Sequence, residues 1–398
     1  MIATYLSAED LMNFRLTCRG FYEATICKAI LSKFKVQPRA SNGIFYKFME
    51  NINGGKFITL NLVPVRIELL VKVLTAAPNI TNLSIKIQHL NTLSNLSCTH
   101  LRTLILVDKD MNYFSKMDSS KYIEHFQNLS SFELKELEIK GCGQVYSSCL
   151  IKAILDSTKS INKLSLDSLI INNSKDVAGF KDYIWSCCHI KSWVWQNIHV
   201  TNKKRLLLPE SITHYKCINS ALSLIDKQHS KLQQFALVGM IPYVDKIWKE
   251  NEFNNLKDLE LNGCFFYHSS MDKCLKLKSL KILKCHLPFS YLANLSSVVQ
   301  SNLTYLCIEA FRDFDNEKIL KIIKQFTKLV ELTLINMNEI TPMFLYALKH
   351  NHLRFMFLRN CQNFRSAKCR DEVNSMKNYF SFSVQLQNCN FCHLNAFR

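Results

Sequence analysis

Near the end of the chain, Cys389-Asn390-Phe391-Cys392-His393 spells C-x-x-C-H. At that spacing two thiols and an imidazole can attach haem or begin a zinc site. A fourth zinc ligand is not evident, haem attachment needs an exported chain, and Cys389 also sits at a position that packing explains below. Cys187-Cys188-His189 places three donors in a row, but it reads as a helix end before a strand. No G-x-x-x-x-G-K-S/T, G-x-G-x-x-G after a strand, G-x-S-x-G or H-E-x-x-H occurs, so the usual phosphate cradles, nucleophile turns and helical zinc pairs are missing. Ser, His and Asp are all present, yet nothing singles out a triad. The expectation is a binding protein without catalytic residues, metal or cofactor.

What positions side chains in this sequence is a repeat. Leu256-Lys-Asp-Leu259-Glu-Leu261-Asn-Gly-Cys264 and Leu277-Lys-Ser-Leu280-Lys-Ile282-Leu-Lys-Cys285 share the pattern L-x-x-L-x-L-x-x-C, 21 residues apart. Two apolar residues two apart share one face of a short strand. Leu259 and Leu261 therefore point into a core, while Asp258, Glu260 and Asn262 point away. A small thiol at the ninth position suits a buried corner; Cys142, Cys264, Cys285, Cys361 and Cys389 all occupy it. One unit cannot cover its own apolar face, so units must stack. Strands stack at about 4.8 Å and helices at about 8–10 Å, so the stack curves with strands inside.

The pattern resembles the leucine-rich repeat. Repeats begin at Phe57, Ile80, Leu101, Leu134, Ile161, Ile190, Ile212, Leu232, Leu256, Leu277, Leu303, Leu329, Leu353 and Ser381, with a mean spacing of about 25, inside the family range of about 20–29. The resemblance implies an α/β horseshoe solenoid over 57–398, with parallel strands on the concave face and helices on the convex face. The strand cores run from Leu60/Leu62 to Val384/Leu386, and Trp193/Trp195 demand either a locally expanded stack or a partner for an indole N–H. Arg66 to Ala76 reads as a helix, as does the stripe Ile319, Ile322, Ile323, Phe326; Pro342 suits a first helical turn after Thr341. The 33-residue gap between Leu101 and Leu134 holds Asp108 to Ser131, read as an insertion projecting from one rim.

The hydrophobic fraction is 48%, with only 9 Gly and 7 Pro, which suits a large core. No run of about 18 apolar residues suggests a membrane span, and Glu9 and Asp10 interrupt the apolar start, so no signal peptide is expected. The 16 cysteines are then expected reduced, in cytoplasm or nucleus. The net charge is +18. Lys is spread through the segments between strands, with no basic run longer than Lys203-Lys204-Arg205, and no RNA-recognition signature appears. Neither nucleic acid nor membrane is therefore expected as a partner.

Residues 1–32 do not fit the repeat, and 33–56 read as a linker or cap. Ser7 and Asp10 make a capping box, and Leu11, Phe14 and Cys18 form one apolar stripe. Tyr5-Leu6, Ser7-Ala8-Glu9-Asp10-Leu11 and Thr17-Cys18-Arg19-Gly20-Phe21 resemble, at their spacing, three pieces of the F-box. That family's opening Leu-Pro-x-Glu-x-Leu has no counterpart from Met1 onward; either the adaptor surface is incomplete or the sequence is short at its start. F-box-like helices followed by repeats resemble the F-box/LRR substrate receptors of SCF-type cullin-RING ubiquitin ligases. The resemblance implies a non-catalytic subunit that binds the Skp adaptor, and through it a cullin scaffold, by Leu6, Asp10, Leu11, Phe14, Leu16, Cys18, Arg19 and Phe21. It implies a protein substrate held on the repeats. The outward positions expected to meet it are Asp258, Glu260, Tyr305, Glu309, Glu331, Ile335, Phe355, Phe357 and Arg359; a register slip of one residue would instead bury Phe355 and Phe357. A repeat scaffold with no ligase link is the alternative, and a basic protein of RNA or membrane surfaces a third reading.

Overall fold

The computed structural model describes the chain in segments between residues 59 and 387. Residues 1–58 and 388–398 lie outside the described residues, with 109–123, 173–186, 202–207, 221–229, 242–252, 265–273, 286–291, 310–315, 365–370, 376–381 and shorter gaps. The F-box-like stretch and its eight adaptor-facing residues, the 33–56 linker and the C-x-x-C-H segment all fall there. The chain divides into two compact units, Met1–Lys204 and Arg205–Arg398.

In the first unit, strands β1 (Thr59–Asn61), β2 (Asn82–Lys86), β3 (Thr103–Val107), β4 (Glu136–Lys140), β6 (Lys163–Asp167) and β8 (Ser192–Gln196) pair in that order, every pair parallel. In the second, β10 (His214–Ile218), β11 (Gln234–Ile241), β12 (Asp258–Cys264), β13 (Ser279–Leu283), β14 (Tyr305–Glu309), β15 (Glu331–Ile335), β16 (Phe355–Arg359) and β17 (Ser383–Gln387) do the same. The registers follow the leucines: Leu259 opposes Leu280 and Leu261 opposes Ile282, then Leu306 opposes Leu332 and Ile308 opposes Leu334. All eight are at most 1% exposed. Burying each contributes roughly 1.5–3 kcal/mol, which ties each strand's stability to its neighbours. Parallel pairing at the repeat's own register fits leucine-rich-repeat architecture within each unit.

The segments between strands carry the helices. Ile67–Ala76 and Asn316–Gln325 are α-helical, the second burying Ile319, Ile322 and Ile323, with Phe326 closing the stripe. Pro342 opens the helix Pro342–Ala347 behind Thr341. Cys149–Ser157 is a further helix, with Leu150, Ile151, Ile154 and Leu155 buried.

The eighth position of the repeat, which carries no leucine, proves structural. Ser168, Asn197, Asn219, Lys284, Asn336 and Asn360 all sit there with φ between 47° and 56°, and Gly239 and Gly263 take the same place at 108° and 70°. The chain must turn from strand into core at this point. Asn reaches the left-handed region more easily than most residues, and glycine does so freely. At Gly239 space is also tight: a Cβ would displace the Asn219 side chain and lie 3.1 Å from Asn219 Cα. The ninth residue then enters the core: Leu169, Ile198, Cys264, Cys285, Met337 and Cys361 are all buried. Cys264 and Cys361 donate from Sγ to the carbonyls of Leu237 and Leu334 on the strand before, at 3.8 and 3.9 Å.

Three sequence expectations change, and a fourth is described only at its ends. Cys142, also a ninth residue, is only half-buried. The stretch read as a projecting insertion has a buried Asp108 at one end and Phe126 and Leu129, 0% and 1% exposed, near the other; between them 109–123 lie outside the described residues. In the last strand Val384 is buried while Leu386 is half-buried. Finally, β5 (Val145–Ser147), β7 (Ile170–Asn172) and β9 (His199–Thr201) form a second parallel ladder in the first unit, too short for alternation to reveal. Trp193 and Trp195 are both core residues at 1% exposure, with ring centroids 6.2 Å apart and planes at 25°. Neither indole N–H has a hydrogen-bond partner, so of the two alternatives the stack accommodates the rings.

Candidate interaction face

The alternation that buries the leucines leaves the other strand face without a covering layer of its own repeat. In the second unit three rows of side chains run across the strands, in register. The first row is Asp258, Ser279, Tyr305, Glu331, Phe355. The central row is Glu260, Lys281, Cys307, Thr333, Phe357. Glu309, Ile335 and Arg359 form the third. All nine residues expected to meet a substrate therefore lie on one face. Phe355 is 45% exposed and Phe357 half-buried, while Met356 and Leu358 are fully buried between them. The alternative register, with both phenylalanines inside, is excluded.

Cross-strand polar pairs fix part of the face. Lys281 Nζ donates to Glu260 Oε1 at 2.9 Å, and Gln234 Nε2 donates to Asp258 Oδ2 at 3.0 Å, each pair directly opposed in register. Such pairs contribute roughly 0.2–1 kcal/mol. Asn336, at the left-handed corner, donates from Nδ2 to Glu309 Oε1 at 2.7 Å. Its role was not foreseen; the signal was the recurrence of Asn at the eighth position of several repeats.

Two central-row residues are unexpectedly covered. Cys307 and Thr333 point outward but are only 2% and 4% exposed. Tyr305 interacts through its hydroxyl with the side chains of both, and burial, ahead of the Cys307 thiol, pushes its pKa up to about 12. Burial likewise raises the Cys307 thiol. The Tyr305 hydroxyl and the Cys307 thiol are thus both held toward their neutral forms. The aromatic patch of Tyr305, Phe355 and Phe357 is flanked by Glu309, Glu331 and Arg359. From β12 to β16 the face carries four carboxylates (Asp258, Glu260, Glu309, Glu331) and two cations (Lys281, Arg359), in a chain of net charge +18.

The other described cysteines are thiols, all buried except the half-buried Cys142. The hydrogen bond between the Cys264 and Cys285 thiols raises Cys264, as does burial, and lowers Cys285. Among the described residues no group of three or more His, Cys, Asp or Glu could hold a metal, and no helix is long and apolar enough to cross a membrane. Cys187 is buried, and His189 keeps an Nε2 without a partner.

No protein-family model matches the chain, and no curated protein does. Among solved structures, the Rad7–Elc1 complex of yeast aligns with a TM-score of 0.44 at 14% identity, covering 88% of this chain and 98% of that one. The TLR13–ssRNA13 complex aligns with a TM-score of 0.27 at 12% identity, covering 84% and 68%. The class that the ladder and its face define is a parallel repeat protein with an uncovered sheet face.

Proposed function

We propose that this chain is the substrate-recognition subunit of an SCF-type ubiquitin ligase, itself non-catalytic. In this reading Leu6, Asp10, Leu11, Phe14, Leu16, Cys18, Arg19 and Phe21 meet a Skp-type adaptor, and the second unit's sheet face holds the substrate. The adaptor half rests on the F-box-like pieces at 5–21. The substrate half rests on one observation above all: Phe355, a residue type that interiors normally claim, stands 45% exposed beside a half-buried Phe357 and the charges of Glu331 and Arg359. Aromatic residues and Arg are the side chains that anchor protein interfaces. The ligase contribution is then proximity, a raised effective concentration of substrate lysines beside a charged conjugating enzyme. The subunit works in the cytoplasm or nucleus, where its thiols stay reduced.

The test is co-purification of the tagged full chain with recombinant Skp-type adaptor and cullin. Retention of both, abolished by replacing Leu11 and Phe14 with Ala, supports the proposal. Failure of the unmodified chain to retain the adaptor sinks the ligase half and leaves the alternative, an interaction scaffold without ligase association. Tyr305→Ala with Phe357→Ala tests the face separately: partner capture falls while the melting temperature holds.

A further inference from the structure

The turns that enter β11 to β16 of the second unit share one end of the ladder. Their backbone positions are locked in a row: Lys257 N donates to Gln233 O, Lys278 N to Lys257 O, Thr304 N to Lys278 O, Val330 N to Thr304 O and Arg354 N to Val330 O, each at 2.8 Å. This row and the turns just before it make a rim. The turn segments 230–233, 253–257, 274–278, 301–304, 326–330 and 352–354 contain Lys231, Lys257, Lys276, Lys278, Lys328 and Arg354, and no Asp or Glu. All six cations are exposed.

Two of the six are held by neutral acceptors, which leave their charge intact. Lys276 Nζ donates to Asn255 Oδ1 at 2.7 Å, and Lys257 Nζ to Gln233 Oε1 at 3.4 Å. Among the described residues none of the six forms an ion pair. The row runs on through Gln233 N to Thr213 O, and the turn entering β10 adds one exposed acid, Glu210, at that end; Asp258 and Glu331 open strands on the sheet face, and Asp258 there accepts from Gln234. Lys257 and Arg354 lie four ladder steps apart, about 19 Å at about 4.8 Å per step.

We infer that this rim binds the phosphate backbone of a nucleic-acid duplex. Its side chains are those that contact phosphate: Lys and Arg, with Asn, Ser, Thr, Gln and His between them. Protein interfaces are depleted in Lys and built around aromatic anchors, and the rim has none, since Phe253 and Phe326 are fully buried. The same lack removes the stacking platforms that single strands need. A membrane surface would call for apolar insertion, and the rim offers only Leu275, 44% exposed. The inference goes beyond the ligase reading and needs neither the adaptor nor the aromatic face.

The experiment is fluorescence anisotropy of the full chain with a labelled DNA duplex, and its RNA counterpart, of about 20 base pairs across a salt titration. Replacing Lys257, Lys278 and Arg354 together with Ala is expected to weaken binding at least about tenfold and to flatten the log–log salt slope by about 0.9 per cation removed. The charge-conserving Lys257→Arg, Lys278→Arg, Arg354→Lys protein is expected to retain binding, as is Phe355→Ala with Phe357→Ala. Equal weakening by Lys318→Ala, Lys321→Ala, Lys324→Ala, on a helix outside the rim, would reduce the effect to net charge and overturn the proposal. So would no binding by the unmodified chain, or displacement of the duplex by a polyglutamate peptide of equal charge at the same or lower concentration, which would make the rim a site for acidic protein.

Discussion

The sheet face and the rim of the second unit belong to one ladder, the turns of the rim leading directly into the strands of the face, yet they differ in every property that selects a partner. The face from β12 to β16 carries four carboxylates, two cations and three aromatic rings. The rim at the entries to β11 to β16 carries six cations, no acid and no exposed aromatic. On the face, charge is paired across strands and apolar rings stand out; on the rim, amides hold lysines without neutralising them. A repeat protein can therefore hold two unlike surfaces on one ladder, because strand alternation and turn position are set independently along the repeat.

The largest effect should come from breaking the scaffold that both surfaces share. Leu280→Ala removes a fully buried side chain between Leu259 and Leu306 and should cost about 2–5 kcal/mol; denaturant unfolding would measure it, and face and rim should fail together. If only one surface failed, their common dependence on the ladder would be wrong. Next, Asn336→Val places a β-branched residue at φ 55° and deletes the Glu309 contact. A cost of about 1–3 kcal/mol is expected, with the face disturbed and duplex binding by the rim intact. Asn336→Gly should recover most of the stability but not the hold on Glu309, which separates turn geometry from side-chain contact.

A smaller effect is expected at Glu260 and Lys281, whose ion pair is about one-third exposed at each side chain. A double-mutant cycle should return a coupling of about 0.2–1 kcal/mol, shrinking with salt. A coupling well above that range would mean the face is drier than its exposure implies. The least effect concerns His189 in the first unit, whose pKa is lowered by burial and then by Lys159 and Lys191. Because the unfolded state binds the proton more readily, stability should be full above about pH 6.5, the unperturbed histidine value, and decline as pH falls through the lower folded value. Thermal melts from pH 7.5 downward, with His189→Gln as control, would show a pH dependence that the variant loses.

The ladder was legible because leucines three and two apart declare both their face and their neighbour: every named core pair through Met356/Leu358 is buried. The nine face residues followed from the same alternation. The corner residues were harder to see, since Ser, Asn, Lys and Gly share no obvious property until their common φ is known. The contact of the Tyr305 hydroxyl with the covered side chains of Cys307 and Thr333 joins positions on two strands, which no local pattern encodes.

What the sequence determined alone is the repeat, hence which side chains enter the core and which leave it, because burial of periodic leucines is a local requirement met the same way in each turn. The clustering of charge was decided only in three dimensions. Lys257, Lys278 and Arg354 are 21 and 76 residues apart along the chain and read there as scattered lysines and an arginine. Parallel stacking puts them on one edge, because each repeat returns to the same place in the ladder about 4.8 Å further on, and a charge that looks dilute in one dimension becomes a row.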